Sequence, residues 1–266
     1  RTLALVGESG CGKSTTGRSV LRLVEPLSGK VEIDGVDVIG LNDDELRRAR
    51  QHMQMVFQDP FASFNPQLRL GAQVAEPLQN FGGGTAQDIQ DKVAALFDRV
   101  RLPADFVRRF PHELSGGQRQ RGALARALAL NPTQIIAAEA VSALAVSVQA
   151  EVLNLMMELQ AELGLAYLFI SHDMAVVERV SHDVGVMYLG RIVEIGPRQA
   201  IFEDPRHPYT KALLSAVPIA DPTRRTTGRD VTHKAIASPV HPVDYVPEPS
   251  VYEEVGPGHR VLVTDS

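Results

Sequence analysis

The stretch TLALVGESGCGKS, Thr2 to Ser14, decides how the rest of the chain is read. A short apolar run, Thr2–Gly7, enters a glycine-rich turn. The turn leads into KSTTGRSVLRLV, whose apolar residues Val20, Leu21, Leu23 and Val24 fall at helical spacing. Gly7 to Ser14 fits G-x-x-x-x-G-K-[ST] and stands after a strand and before a helix, the context this pattern needs. Glycines allow backbone N–H groups to turn onto phosphate oxygens, and a helix N-terminus adds partial positive charge. Lys13 can then reach the β- and γ-phosphates while the Ser14 hydroxyl takes a place on Mg²⁺. A hydrolase nucleophile elbow, G-x-S-x-G, fails here: Ser9 is in place, but Cys11 stands where the last glycine must be.

Further along, GKVEIDGVDV alternates like a strand between glycines, and the region from Gly71 to Leu130 turns helical and more polar. Strand-like runs return at QIIAA and AYLFIS, separated by the amphipathic SVQAEVLNLMMELQAEL. VGVMYLGRIVEIG then forms a hairpin turning at Leu189–Gly190. Strands alternating with helices around a helical insertion predict an α/β core with a helical subdomain. DPRHPYTKALLSAVP predicts one more helix, and the proline-rich tail from Ser238 to Pro257 an extended strap. RRAR, Arg47–Arg50, reads as a solvated helix face and FGGGTAQ as a flexible loop within the insertion. The chain opens inside a strand-like run, so further N-terminal strands are expected before Arg1.

The totals narrow the classes. The 266 residues, 44% hydrophobic and 22% charged, describe an ordinary globular composition. The absence of Trp, 5% aromatic content and a net charge of −5 argue against a stacking single-strand binder or a broad nucleic-acid footprint. One cysteine, Cys11, excludes an internal disulfide framework and any multi-cysteine zinc site. No apolar run in this sequence reaches the ~18 residues of a membrane span, and no signal peptide is expected. The histidines other than His172 show no H-E-x-x-H spacing and read as surface or packing residues.

A phosphate loop alone leaves many families open, whereas ELSGGQRQRGALARAL (Glu113–Leu128) does not. With MVFQDP (Met55–Pro60), the strand at Ile135 and LFISHD (Leu168–Asp173), in that order, the chain resembles the nucleotide-binding subunit of an ABC transporter up to about Pro218. EDPRHPYTKALLSAVP further resembles the subgroup serving di- and oligopeptide importers, including those for glutathione. Some of that subgroup carry a cysteine cluster in the tail; this chain has none.

The resemblance implies a P-loop NTPase (RecA-like) ABC core at 1–66 and 131–196, a helical subdomain with the signature motif at 67–130, and a C-terminal extension at 197–266. It implies that Gly7, Glu8, Ser9, Gly10, Cys11, Gly12, Lys13, Ser14 and Thr15 hold the phosphates of ATP, Ser14 and Gln58 holding Mg²⁺. Gln58 would also lie near the attacking water, Glu139 would act as general base, and His172 would sense the γ-phosphate. Ser115, Gly116, Gly117 and Gln118 would contact nucleotide on a second ABC ATP-binding domain, identical or different. SGGQ entering RQRGALARAL is itself a helix N-terminus with bare N–H groups, a second anion site on one chain. The remaining implied partners are transmembrane permease subunits and, indirectly, an extracytoplasmic peptide-binding protein. The implied place is the cytoplasmic face of the inner membrane, bound peripherally.

One stretch departs from the family. Its strand at Ile135 ends in Asp-Glu-Pro, with another Asp three residues beyond the following Ser; here those positions are Ala138, Glu139, Ala140 and Ala145. The base survives and the metal-orienting carboxylate does not. Mg²⁺ bound mainly through phosphates, one hydroxyl and water then has no anionic protein partner at the strand end. This predicts a chain that binds ATP but hydrolyses it poorly at its own phosphate loop. A non-hydrolysing, ATP-gated half of an asymmetric dimer is the alternative. An ABC ATPase acting on nucleic acid or ribosomes is a third, for which the expected heptads or basic face are not evident.

Overall fold

The computed structural model describes residues 1–59, 62–216 and 249–263. Pro60 of MVFQDP, the end of the predicted helix at Val217–Pro218, and residues 238–248 of the predicted strap lie outside the described residues. In chain order the strands are β1 (Thr2–Val6), β2 (Glu32–Ile33), β3 (Val36–Asp37), β4 (Met53–Val56), β5 (Gln134–Ala138), β6 (Ala166–Ile170), β7 (Asp183–Tyr188), β8 (Arg191–Pro197), β9 (Tyr252–Gly256) and β10 (His259–Leu262). The helices are α1 (Lys13–Val20), α2 (Asp43–Ala49), α3 (Leu70–Asn80), α4 (Ala86–Arg99), α5 (Gly116–Leu128), α6 (Val146–Leu163), α7 (Met174–Val180), α8 (Arg198–Glu203) and α9 (Pro208–Ser215). By its contacts the chain divides into two units, Arg1–Thr2 with Ser14–Ile170, and Leu3–Lys13 with Ser171–Ser266.

In the first unit, β4, β5 and β6 form a parallel set. Met53 is in register with Gln134, and Ala138 with Ile170. Ile135 to Ala138 are all buried, which is why β5 is a continuous apolar run rather than an alternating one. α3, α4 and α5 pack on one another, and α5 also reaches β4 and α6. Phe97 and Leu124 are fully buried there.

Local chemistry sets several boundaries differently from the sequence expectation. GKVEIDGVDV is not one strand but the hairpin β2–β3, because Asp34 (φ 50°) and Gly35 (φ 81°) adopt the paired left-handed conformation of a two-residue turn. FGGGTAQ is only briefly a loop. Thr85 and Asp88 form a capping box that starts α4 at Ala86, so Thr85, Ala86 and Gln87 are cap and helix. RRAR is not wholly solvated. The Arg50 guanidinium donates to the Leu21 and Arg22 carbonyls (3.2 and 2.9 Å), and that of Arg47 lies over the Phe81 ring.

In the second unit, β1 runs parallel to β7, with Leu3 opposite Asp183 and Val6 opposite Val186. β7 and β8 form the predicted hairpin, turning through Leu189 (φ 46°) and Gly190 (φ 82°). β10 adds antiparallel to β8, and β9 to β10. The described part of the tail is therefore a paired hairpin rather than an extended strap. β10 joins β8 through Arg260 and Val261, and the Tyr252 hydroxyl donates to the Ile192 carbonyl (2.7 Å).

A buried carboxylate organises this unit. Glu194 on β8 is fully buried; it accepts the N–H groups of Arg206 (2.7 Å) and His207 (3.0 Å) and lies 2.7 Å from His259 Nε2 on β10. Burial pushes the Glu194 carboxyl up, but the Thr210 hydroxyl, the two amides and His259 outweigh it and hold it below the usual range. Burial pushes the His207 imidazole down, against the attraction of Glu194. Both groups have folded values below their unfolded ones, so the unfolded chain binds more protons and stability falls on acidification. The His207 contribution is lost as pH drops below about 6.5 and the Glu194 contribution below about 4.3. A thermal midpoint measured from pH 8 to pH 3 should fall in those two windows, and Glu194→Gln should remove the lower one.

Candidate functional site

The glycine-rich turn lies between β1 and α1. Gly7 is buried with φ 147°, and a Cβ added there would stand 2.1 Å from the Met187 carbonyl oxygen, so only glycine lets β1 pass β7 at this point. Gly10 and Gly12 also have positive φ, 82° and 105°. Glu8, Ser9 and Gly10 are exposed and Cys11 is buried. The Gly190 N–H donates to the Cys11 carbonyl (3.1 Å), tying the β7–β8 turn to the loop. Lys13 is the first residue of α1 and is 4% exposed. Its Nζ donates to the Gly7 carbonyl (2.8 Å) and the Glu8 carbonyl (2.7 Å) and lies 3.7 Å from Cys11 Sγ. A desolvated ammonium is thus held on the inside of a turn whose backbone can donate to anions. Ser14 and Thr15 follow, both exposed, in the first turn of α1.

In the first unit, β5 stops at Ala138, and Glu139 takes φ 50°, a left-handed conformation unusual for a residue with a Cβ. Its N–H donates to the Ile170 carbonyl (2.8 Å), and its own carbonyl accepts from the Ser142 N–H (3.1 Å) and hydroxyl (3.0 Å). This turn aims the Glu139 carboxylate at Gln58, whose Nε2 donates to Oε2 at 2.8 Å. Gln58 follows β4 and Glu139 follows β5, and parallel neighbours end side by side, so residues 81 apart meet.

Ser14, Gln58, Asp59 and Ala138 line one cavity of about 410 Å³. Asp59 is its one carboxylate among the described lining residues. It sits inside MVFQDP, but adjacency to a glutamine gave no spacing signal that would single it out. Among the described residues no group of three His, Cys, Asp or Glu side chains could hold a metal. The cavity could offer a cation the Ser14 hydroxyl and the oxygen end of the Gln58 amide, with Asp59 beside them. Such a set fits Mg²⁺ carried largely by phosphate oxygens and water rather than caged by protein.

Ala145 occupies the N-cap of α6 with extended backbone (φ −60°, ψ 145°) and no side-chain acceptor for the first-turn N–H groups. An Asp there would supply one. Ala145→Asp should raise the unfolding free energy by about 1 kcal/mol, as N-cap acceptors do, measured by urea titration.

The signature run begins α5. Ser115 Oγ accepts the Gln118 N–H (3.3 Å) and Gln118 Oε1 accepts the Ser115 N–H (2.9 Å), a capping box. The end is therefore less bare than the sequence suggests, since Gln118 is taken and the N–H groups of Gly116 and Gly117 stay outside the box. Gly117 is buried; a Cβ there would come within 2.3 Å of Val148 Cγ1, so any other residue would force the Val148 side chain on α6 to shift. The Arg119 guanidinium donates to the Pro111 (3.0 Å) and Leu114 (2.6 Å) carbonyls and fixes the turn that presents Ser115.

His172 belongs to the second unit. It is exposed in the turn Ser171–Asp173, where Ser171 Oγ accepts the Asp173 N–H (3.0 Å) and Asp173 caps α7 through the Ala175 and Val176 N–H groups. The structure thus brings Ser14, Gln58, Ala138 and Glu139 together in one unit, and the loop Gly7–Lys13 and His172 belong to the other.

The glycine-bound lysine between a strand and a helix, within α/β architecture, defines the class as a P-loop NTPase. Residues 1–142 match the profile of the ABC transporter family, and residues 193–240 that of the oligopeptide/dipeptide transporter C-terminal region. The chain belongs to the ABC transporter family. It is 54% identical over 260 residues to the glutathione import ATP-binding protein GsiA of Pectobacterium atrosepticum, covering 98% of this chain and 42% of that protein. It is 52% identical over 265 residues to GsiA of Escherichia coli K12, covering 100% of this chain and 42% of that protein. The chain thus spans less than half the length of these curated relatives. Among solved structures, cbiO1 of Clostridium perfringens, part of the ABC transporter complex cbiONQ, matches with TM-score 0.69 and 26% identity over 76% of this chain and 79% of that one. The ATP-binding cassette MJ0796, dimeric in a post-hydrolysis state with ADP and Pi, matches with TM-score 0.66 and 28% identity over 74% and 85%.

Proposed function

We propose that the chain is the ATP-binding part of an ABC importer, coupling ATP binding and hydrolysis to uptake of di- and oligopeptides, with glutathione as the first substrate to test. The observation that carries this is Lys13, held by the Gly7 and Glu8 carbonyls at the start of α1. The GsiA relatives supply the substrate, since nothing in the described residues selects one. In this reading Gly7 to Thr15 bind the phosphates, and Ser14 and Gln58 hold Mg²⁺, which when bound offsets phosphate charge. Glu139 is the general base, already oriented by Gln58. His172 contacts the γ-phosphate. Ser115, Gly116, Gly117 and Gln118 complete the site of a second ABC domain. Residues 67–130 form the helical subdomain between the core segments 1–66 and 131–196, and 197–266 the extension. Permease subunits, and indirectly a peptide-binding protein, complete the importer at the cytoplasmic face of the membrane. No helix among the described residues is long and apolar enough to cross a membrane, which suits a peripheral place.

The buried methyl group of Ala138 on the cavity wall favours a refinement. ATP binds and closes the dimer, while hydrolysis at this chain's own loop is slow; its signature run still serves the opposite site. An entirely non-hydrolysing, ATP-gated half is the limit of the same idea. The test is equilibrium binding of a fluorescent ATP analogue alongside steady-state MgATP turnover in the intact protein. Tight binding with slow turnover supports the reading, and absence of nucleotide binding overturns it.

A further inference from the structure

The outer side of the phosphate loop is held by a residue from the C-terminal segment. The Glu8 N–H donates to the Tyr209 hydroxyl at 3.0 Å. Tyr209 is the second residue of α9, and its ring packs on that of Tyr188 at the end of β7, with centroids 4.2 Å apart. Its backbone is fixed as well: the Tyr209 N–H donates to His207 Nδ1 (3.1 Å), and the His207 N–H donates to the buried Glu194 carboxylate. An unbroken series of hydrogen bonds therefore runs from β8, through Glu194, His207 and Tyr209, to the second residue of the loop. All of these residues lie in one unit.

We infer that Tyr209 is a positioning residue of the phosphate loop, by which the C-terminal segment sets the loop's readiness for nucleotide. The inference rests on the reading of Gly7–Ser14 as an ATP site. Burial pushes the Tyr209 phenol up to about 12, so it stays neutral at physiological pH and brings no negative charge toward phosphate. Lys13 binds the Glu8 carbonyl from inside the turn while Tyr209 takes the Glu8 N–H, so one peptide neighbourhood is gripped twice. A loop ordered before binding loses less freedom when the phosphates arrive. Without the hydroxyl, nucleotide must supply that order itself.

Tyr209→Phe removes the hydroxyl and keeps the ring on Tyr188. Tyr252→Phe, which deletes another phenol hydroxyl of the same unit, is the control. In the intact protein, Tyr209→Phe should weaken ATP-analogue binding about fivefold, the size one neutral hydrogen bond carries. The KM for ATP should rise in step while kcat at saturating ATP holds. The nucleotide-free thermal midpoint should match that of Tyr252→Phe, whose affinity should equal wild type. Unchanged affinity in Tyr209→Phe overturns the inference. So does a fall in the nucleotide-free midpoint with KM unaltered, which would make the hydroxyl purely structural. Failure of the wild type to bind the analogue would instead overturn the ATP reading itself.

Discussion

Ala138→Asp is expected to raise Mg²⁺-dependent ATP turnover by about two powers of ten, equivalent to ~2.7 kcal/mol of barrier. The cavity beside Ala138 already holds the Ser14 hydroxyl and the Gln58 amide, and its volume of about 410 Å³ accommodates a carboxylate without rebuilding the strand. What position 138 lacks is an anionic metal donor of its own: Ser14 and Gln58 are neutral, Asp59 stands after β4, and the Glu139 carboxylate is turned to the Gln58 amide. Ala138→Asn separates charge from shape: it adds the same bulk without the charge and should gain little. A second readout comes from stability. Position 138 is 6% exposed, so an unpaired carboxylate there resists ionisation and destabilises the nucleotide-free protein by about 1–3 kcal/mol. Mg²⁺ with ADP should restore the difference, because a ligand that binds only the folded state stabilises it. Equal turnover in wild type and Ala138→Asp would defeat the impaired-site proposal and direct attention to Asp59 as the carboxylate in use.

Lys13→Met should lower ATP affinity about a hundredfold and abolish measurable turnover. Hydrogen bonds to charged groups are worth ~1.5–3 kcal/mol, and each 1.4 kcal/mol is tenfold in affinity. Methionine keeps the length of the stem, so the loss reports the ammonium rather than packing. The effect on folding should be small, because two opposing terms change together. The variant no longer desolvates a charge at a 4% exposed position, but it leaves the Gly7 and Glu8 carbonyls without their donor. Thermal midpoints and analogue binding measured on one preparation separate the two. Retained affinity in Lys13→Met would remove the observation on which the proposed function rests.

Much of the candidate site's local geometry was legible because its signals are local. Gly7, Lys13, Ser14 and the run Ser115–Gln118 depend on backbone conformation and helix starts, and these are written in consecutive residues. The hairpin at Leu189–Gly190 was legible for the same reason. Asp34–Gly35 could have been read as a turn on that principle, but regular alternation across GKVEIDGVDV masked it. Glu194 could not be found this way. In RIVEIG it looks like a solvent-facing strand residue, and only the approach of Arg206, His207 and His259, up to 65 positions away, makes it the buried centre of a polar cluster.

By itself the sequence determined the class of the fold, the glycine-rich turn before α1, the start of α5 and the alanines at 138 and 145. Each of these rests on residue type and short spacing, which set backbone freedom, helix caps and charge without reference to distant neighbours. Tertiary structure alone decided three things. Glu139 meets Gln58 because parallel strands end side by side; Ala145 became the cap of α6 because the chain turns there; and Tyr209 reached the Glu8 amide because β8 and Glu194 hold α9 in place. Contacts of this kind join residues 81 and 201 positions apart, and they exist only once long segments have packed, since no local periodicity encodes which distant donor meets which acceptor.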